Sequence, residues 1–382
     1  MQLNQQQAID IVRRGAAALQ KGDADAARAL LEQVTRPGLA NVQTLLLLAT
    51  ACRAAGDAAA EEEALDRLMA LDDRIVRAHV MKGDCRARAG DDLVASRYYD
   101  TALRLADGNR IPDDLGRELA RAQEMLGQIQ ARQDAVREAG LVAGGHGPGN
   151  RSARFQESLD LSAGRKQIFP QQPTSYYFPG LAPIQFFDPA DFEWVPAVES
   201  AADAIGAELA TWLAEGGGGW RPYLHHDSSK PRLLSNALTD SPDWSALFLC
   251  ENGVRNESVV AHFPATWAVL DRVPMPRLAN QPTVMFSLLR AGARIEPHSG
   301  MFNTRLICHL PLIVPPGCSF RVGNEVREWE VGKLLIFDDT IEHEAWNGSD
   351  HDRVVLIFDV WRPELTERER QEVSALFAGP PA

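Results

Sequence analysis

The chain has 382 residues, long enough to expect two domains rather than one core. Hydrophobic residues make up 45% and charged residues 24%, the balance of a folded globular chain. With 39 basic and 52 acidic side chains the formal net charge is −13. No basic stripe offsets it, which argues against nucleic-acid phosphate as a partner. The opening MQLNQQQAIDIVRR lacks the basic-then-apolar order of a secretion signal. Apolar runs such as LLLLA (45–49) and VVLIF (354–358) have the length of buried elements, not of a membrane span. The five cysteines, at 52, 85, 250, 308 and 318, are odd in number, scattered and without a CxxC. They read as reduced, packed thiols, and the expectation is a soluble cytoplasmic protein.

Residues 1–138 contain almost no proline and are dense in Ala, Leu, Arg and Glu. Gly-Asp recurs at 22–23, 56–57 and 90–91, a period of 34 residues. Other columns keep the same phase: Gly15, Ala49 and Gly83 are small, Leu31, Leu65 and Tyr99 are large, and Val34, Leu68 and Ala102 are apolar. A glycine between two helical stretches can end one helix while the following Asp caps the next. The small column would let paired helices approach closely. This period and punctuation resemble the tetratricopeptide repeat, in about three units over 8–109, although the usual Trp and Pro are missing from their places. A further helix near 113–137 is expected to cover the open end of the stack. The resemblance implies a concave surface for a peptide or protein partner.

Residues 140–165, beginning GLVAGGHGPGNR, read as a glycine-rich linker between a first domain at 1–139 and a second at 166–382. Beyond it the texture changes to proline, aromatics and short β-rich runs. SYYFPGLAPIQFFDP (175–189) is too irregular for helix, and 196–214 is expected to be helical. Strands are expected at 283–290, 304–314, 318–322, 333–337, 343–347 and 353–361, with a closing helix over 364–377. Closely spaced strands with alternating faces point to a β-sandwich or jelly roll. The fold class is therefore α+β, a helical solenoid followed by a β-domain.

The chemistry concentrates between 298 and 361. His298 follows a strand and a proline, His343 opens another strand, and Arg353 lies on the next, where alternation could turn it inward and Leu356 elsewhere. Two imidazoles and a guanidinium in this arrangement suit a redox iron site whose co-substrate is a dicarboxylate. The usual facial triad adds a carboxylate, and Gly300 stands where it is expected. Asp338 and Asp339 read as a turn rather than a ligand pair. Glu344 is expected to point away from its neighbour His343, because successive strand residues face opposite ways. Asn303 and Arg305 are read equally as substrate contacts or as solvated strand-edge residues. Trp329, Trp346 and Trp361 read as core or pocket wall.

The run EPHSGMFNTRLICHL (296–310), PPGCSFRV (315–322), EWEVGKLLIFDDTIEHEAWN (328–347) and RVVLIFDVWRPEL (353–365) resembles the aspartyl/asparaginyl β-hydroxylases. YYFPGL (176–181) and FPATW (263–267) extend the resemblance over roughly 170–365. It implies a double-stranded β-helix, the cupin-like jelly roll, with Fe(II) and 2-oxoglutarate as cofactor and co-substrate. Such enzymes use two His without the third carboxylate, which fits Gly300. By resemblance His298 and His343 would bind iron. Arg353 with Ser287 would hold the distal carboxylate of 2-oxoglutarate, while His309 and Arg305 would lie near the co-substrate. The family reads Arg-Leu-Arg before that histidine; here it is Arg305-Leu306-Ile307. The implied reaction hydroxylates an unactivated carbon, foremost the β-carbon of Asp or Asn in a peptide. An acyl chain or small molecule is the alternative substrate. A scaffold built on an inactive oxygenase-like domain and a jelly roll doing isomerase or sensor work are the rival classes.

Overall fold

The Gly-Asp steps shape the first half of the molecule. In the computed structural model, which describes residues 4–36, 39–225, 238–276 and 282–377, they fall between the helices of three pairs. The pairs are α1 (Gln5–Gln20) with α2 (Ala24–Thr35), α3 (Val42–Ala54) with α4 (Ala58–Leu71), and α5 (Val76–Arg88) with α6 (Asp92–Ala106). Gly22, Gly56 and Gly90 take φ of +80°, +76° and +78°, the left-handed conformation that ends a helix at little cost only for glycine. Asp23, Asp57 and Asp91 then cap the second helix of each pair, accepting from the amides of Ala26, Ala60 and Val94 at 3.0, 3.0 and 3.2 Å. The small column is equally literal. A Cβ on Gly83 would stand 2.6 Å from the Tyr99 ring, and one on Gly15 would stand 2.9 Å from Leu31 Cγ.

Helix α7 (Asp113–Ala143) closes this stack, packing Leu119, Ala122, Leu126 and Ile129 against Val80, Tyr99 and Ala102. It is longer than the sequence pattern predicts. The strong helix formers of QARQDAVREA carry it through Gly140, and it ends only at Gly144. The expected linker over 140–165 is thus corrected. It holds the end of α7 and a short helix α8 (Ala153–Ser162), whose Ser152 cap accepts from the Phe155 amide at 3.3 Å. The chain divides into two compact units at Ala163 and Gly164. No helix among the described residues is long and apolar enough to cross a membrane.

The second unit is built on two antiparallel sheets. Its strands are β1 (Phe186–Phe187), β2 (Arg221–Pro222), β3 (Trp244–Glu251), β4 (Val254–Arg255), β5 (Val284–Leu289), β6 (Arg294–His298), β7 (Arg305–Ile313), β8 (Cys318–Val322), β9 (Glu325–Glu328), β10 (Leu335–Phe337), β11 (His343–Asn347) and β12 (Arg353–Trp361). The larger sheet runs β1-β10-β7-β12-β5-β3-β2 with β4 paired to β3, and the smaller runs β6-β11-β8-β9. Alternation sorts each strand of the larger sheet into two faces. Leu306, Cys308, Leu310, Val354, Leu356 and Phe358 face one core, shared with Val198, Ile205 and Leu209 from the helices Val195–Ser200 and Ala202–Ala214. The opposite face carries Leu289, Phe337 and Val355 into a second core with Ile295, Phe320, Val322 and Ala345 of the smaller sheet. The space between the two sheets is where the candidate chemistry collects.

Six strands lie where the sequence places them, and the expected helix over 196–214 is present but interrupted at Ala201. The β3 run WSALFLCE, buried along most of its length, shows no alternation to mark it. β6 holds a proline, and β9 is short.

Candidate active site

β6 and β11 run antiparallel, with His298 opposite His343 and Ile295 opposite Ala345. Three steps along β6 therefore match two along β11. Strict alternation would turn His298 away from the face that Ile295 buries; this bulge turns it back. The imidazoles consequently meet, with ring centroids 4.1 Å apart. His298 Nδ1 lies 2.8 Å from the Glu296 carbonyl, and His343 Nδ1 lies 3.0 Å from the Ile341 carbonyl. A carbonyl only accepts, so Nδ1 carries the proton in both rings and Nε2 carries the lone pair. That is the tautomer of a metal-binding histidine with its second nitrogen anchored. His343 is buried and His298 is exposed at the rim. Burial, reinforced by His298, pushes His343 down to about 3, so its ring is neutral at any ordinary pH.

No third candidate ligand accompanies the pair among the described residues. Among the described residues no group of three or more His, Cys, Asp or Glu side chains is placed to hold a metal ion. Gly300 has no room to supply one. A Cβ there would stand 2.0 Å from Asp339 Oδ2, and the Gly300 amide already donates to the Asp339 carbonyl at 2.6 Å.

Arg353 begins β12 on the inward face, opposite Leu289 and two residues from Val355, which pairs with Ser287. Its side chain is 1% exposed, yet no carboxylate among the described residues pairs with it. Nε and Nη2 are buried without a hydrogen-bond partner, and the guanidinium carbon lies 4.7 Å from the centre of the Trp329 ring. Burial lowers its pKa to about 10, still charged at neutral pH. A desolvated, unpaired guanidinium is costly, and it is satisfied by an anion with two coplanar oxygens.

Ser287 is also buried and accepts from Trp244 Nε1 at 3.2 Å. His309, from β7, lies against Phe320, Phe337 and Trp329. The Trp329 indole donates to His309 Nδ1 at 3.4 Å, which leaves His309 Nε2 as its protonated nitrogen. Burial, with Arg353 and His343 adding, holds this ring well below the usual histidine range. The structure thus gathers His298, His343, Arg353, Ser287 and His309 on the faces that meet between the sheets.

Arg305, expected near the co-substrate, is ion-paired with Asp339 at 3.1 Å and Asp359 at 3.3 Å, and its Nε is buried without a hydrogen-bond partner among the described residues. Burial, against the pull of Arg305, raises the Asp339 carboxyl to about 6. Asp338 faces elsewhere, paired with Arg362 at 2.7 Å and capping its own turn through Thr340. Glu344 points away from the imidazoles to Arg294 and Arg321, as alternation requires. Asn303 is neither a substrate contact nor a solvated edge. It is fully buried and holds both the amide and the carbonyl of Phe178, at 2.7 and 2.8 Å. Trp329 and Phe320 wall the pocket, while Trp361 packs with Leu181, Leu365 and Val373. Trp244, whose ring centre lies 6.2 Å from that of His298, went unnoticed in the sequence because it opens the strand that shows no alternation.

The family profile for Aspartyl/Asparaginyl beta-hydroxylase matches residues 199–363, a span that contains every residue of the site just described. The human Aspartyl/asparaginyl beta-hydroxylase is 39% identical over 140 residues, 36% of this chain and 18% of that protein. The Ornithine lipid ester-linked acyl 2-hydroxylase of Rhizobium tropici is 37% identical over 180 residues, 46% of this chain and 60% of that protein. The Aspartate beta-hydroxylase domain-containing protein 2 of Xenopus tropicalis is 29% identical over 213 residues, 54% of this chain and 55% of that protein. The chain therefore spans less than two thirds of each of these relatives. Among solved structures, the translocator chaperone SycD of Yersinia enterocolitica aligns at 14% identity and a TM-score of 0.32, covering 35% of this chain and 90% of that one. Over residues 199–363 the second unit is thus similar to the aspartyl/asparaginyl beta-hydroxylases, which are hydroxylases by name.

Proposed function

We propose that the second unit hydroxylates an unactivated carbon, with Fe(II) held by His298 and His343 and 2-oxoglutarate as co-substrate. The observation that carries this reading is Arg353, a buried guanidinium without a counter-ion among the described residues, between the same two sheets as two imidazoles whose Nε2 atoms bear lone pairs. An internal ion pair would have served stability; an orphaned one serves an anion that comes and goes. Bound iron would supply the oxidising power that no side chain has.

The remaining work falls to the protein. Arg353 receives the distal carboxylate of 2-oxoglutarate, and Ser287, on the same face, supplies a hydroxyl beside it. Trp329 closes over the guanidinium and keeps water from competing for it. His309, neutral and protonated on Nε2, can donate without adding a second cation. His298, at the rim, marks the side from which the carbon to be hydroxylated approaches. An inactive scaffold has no use for the charge of Arg353, which argues against that reading. The five cysteines are free and buried, compatible with work in a reducing cytoplasm.

The substrate we favour is the β-carbon of Asp or Asn in a peptide, presented by a protein that the repeats of the first unit engage. One observation supports an acyl chain instead: the match to the acyl 2-hydroxylase extends over more of this chain than the match to the human Aspartyl/asparaginyl beta-hydroxylase. The test is anaerobic loading with Fe(II), then 2-oxoglutarate. A weak visible charge-transfer band and, in air, conversion of 2-oxoglutarate to succinate are expected. Peptides and acyl lipids are then searched for a hydroxyl-sized mass gain. No band and no succinate from a folded, iron-treated protein would overturn the reading.

A further inference from the structure

The two histidine-bearing loops are held together by residues that lie outside the 199–363 family span. The segment before Phe178 runs across both. On the His298 side, the Thr174 amide donates to the Gly300 carbonyl at 2.9 Å, and the Ser175 and Tyr176 amides donate to the Met301 carbonyl at 3.1 and 3.0 Å. On the His343 side, the Gln172 amide donates to the Thr340 carbonyl at 2.7 Å. One side chain spans the gap between them. Gln171 Nε2 donates to Asp338 Oδ2 at 2.5 Å, and Gln171 Oε1 accepts from Asn303 Nδ2 at 3.0 Å.

Both ends of this bridge are fixed. Asp338 is fully buried and further held by Arg362 at 2.7 Å and by Thr340. Asn303 is fully buried and held by Phe178. Asp338 is five residues before His343, and Asn303 five after His298. The loops are also joined by the Gly300 amide to the Asp339 carbonyl at 2.6 Å, and the strands by the β6–β11 register, at the bulge where that register slips. A bulge alone leaves the ring spacing softly determined, and the amide bridge fastens the loops on the far side of each histidine.

We infer that Gln171 is a positioning residue for the metal pair: it sets the separation of His298 and His343 by tying their loops through Asn303 and Asp338. The inference rests on the metal reading above and adds to it a residue that touches neither metal nor co-substrate. Its amide suits the place because it must donate to a carboxylate and accept from an amide at once. Glutamate can accept only, and methionine, of similar length, can do neither well.

The test is Co(II) affinity of the full chain, read by its visible absorption, together with the melting temperature of the apo protein. In Gln171→Met and Gln171→Glu the dissociation constant should rise about tenfold or more, the scale seen for outer-shell partners. The melting temperature should change little, and the visible band should shift as the ligand geometry relaxes. Gln172→Ala, which leaves the Gln172 backbone bond in place, should bind Co(II) like wild type. Wild-type affinity and an unshifted band in both Gln171 variants would overturn the inference while leaving the metal reading intact. Failure of both to fold, with Gln172→Ala folded, would also overturn it by making Gln171 a folding residue. Failure of wild type to bind Co(II) would remove the metal reading and this inference together.

Discussion

Both units bury charge and answer most of it, and the β-unit departs from this at Arg353. In the repeats Asp84 is buried and fully answered, by Arg121 at 2.6 and 2.7 Å, Arg53 at 2.9 Å and the Tyr99 hydroxyl at 2.8 Å. In the β-unit Arg362 is answered too, by Asp338, Glu364 and the Ala182 carbonyl. Arg353, just as deep, has no hydrogen-bonding or ion-pair partner among the described residues and lies over the face of Trp329. Satisfied networks specify a fold, and an unsatisfied one advertises a ligand.

The largest effect expected is on the imidazoles. His343→Ala should cost turnover on the order of a thousandfold or more, since the proposed iron site would lose one of its two protein ligands. Succinate formation checks it, and near-wild-type activity would erase the distinction between the two units. Arg353→Met should come next, with opposite signs in two measurements. The KM for 2-oxoglutarate should rise about a hundredfold, while the apo protein gains about 1–3 kcal/mol in urea unfolding because an unpaired buried cation is removed. A destabilised apo variant would mean that Arg353 has a structural partner after all.

The repeat side gives the contrary result. Asp84→Asn should lose about 2 kcal/mol, less than a fully dry pair because its arginines remain partly exposed. Burial alone would raise the Asp84 carboxyl, but Arg121, Tyr99 and Arg53 outweigh it and hold it below the ordinary value. Its contribution is therefore complete above the unfolded carboxyl value of about 3.9 and is lost as the pH falls through its lower folded value. Helical signal in urea at pH 7 and pH 3 should show the variant closing on wild type in acid. The smallest effect is Gly56→Ala, about 1 kcal/mol from the φ of +76° alone, read by the same melt.

The same contrast explains how much the sequence discloses. Each repeat is punctuated by neighbours in the chain, so Gly-Asp in phase reveals turn, cap and pairing together. Strand β8 shows itself through alternation and β12 through a long apolar run, while His343 and Arg353 are marked by the family resemblance. What stays hidden depends on distant partners. Nothing near Arg305 announces that Asp339 and Asp359 neutralise it. Nothing near Asn303 announces Phe178, and Gln171 lies more than a hundred residues from both of its partners. The end of α7 is hidden for a different reason: glycines that look like a linker are tolerated by a helix already under way.

The slip between β6 and β11 has a consequence for how such a site can change over generations. Because three steps along β6 answer two along β11, deleting one residue between Ile295 and His298 would leave an even, unbulged register with the ring still on the inner face. A lost codon in this short stretch would therefore remove the bulge and leave the direction of the ring unchanged.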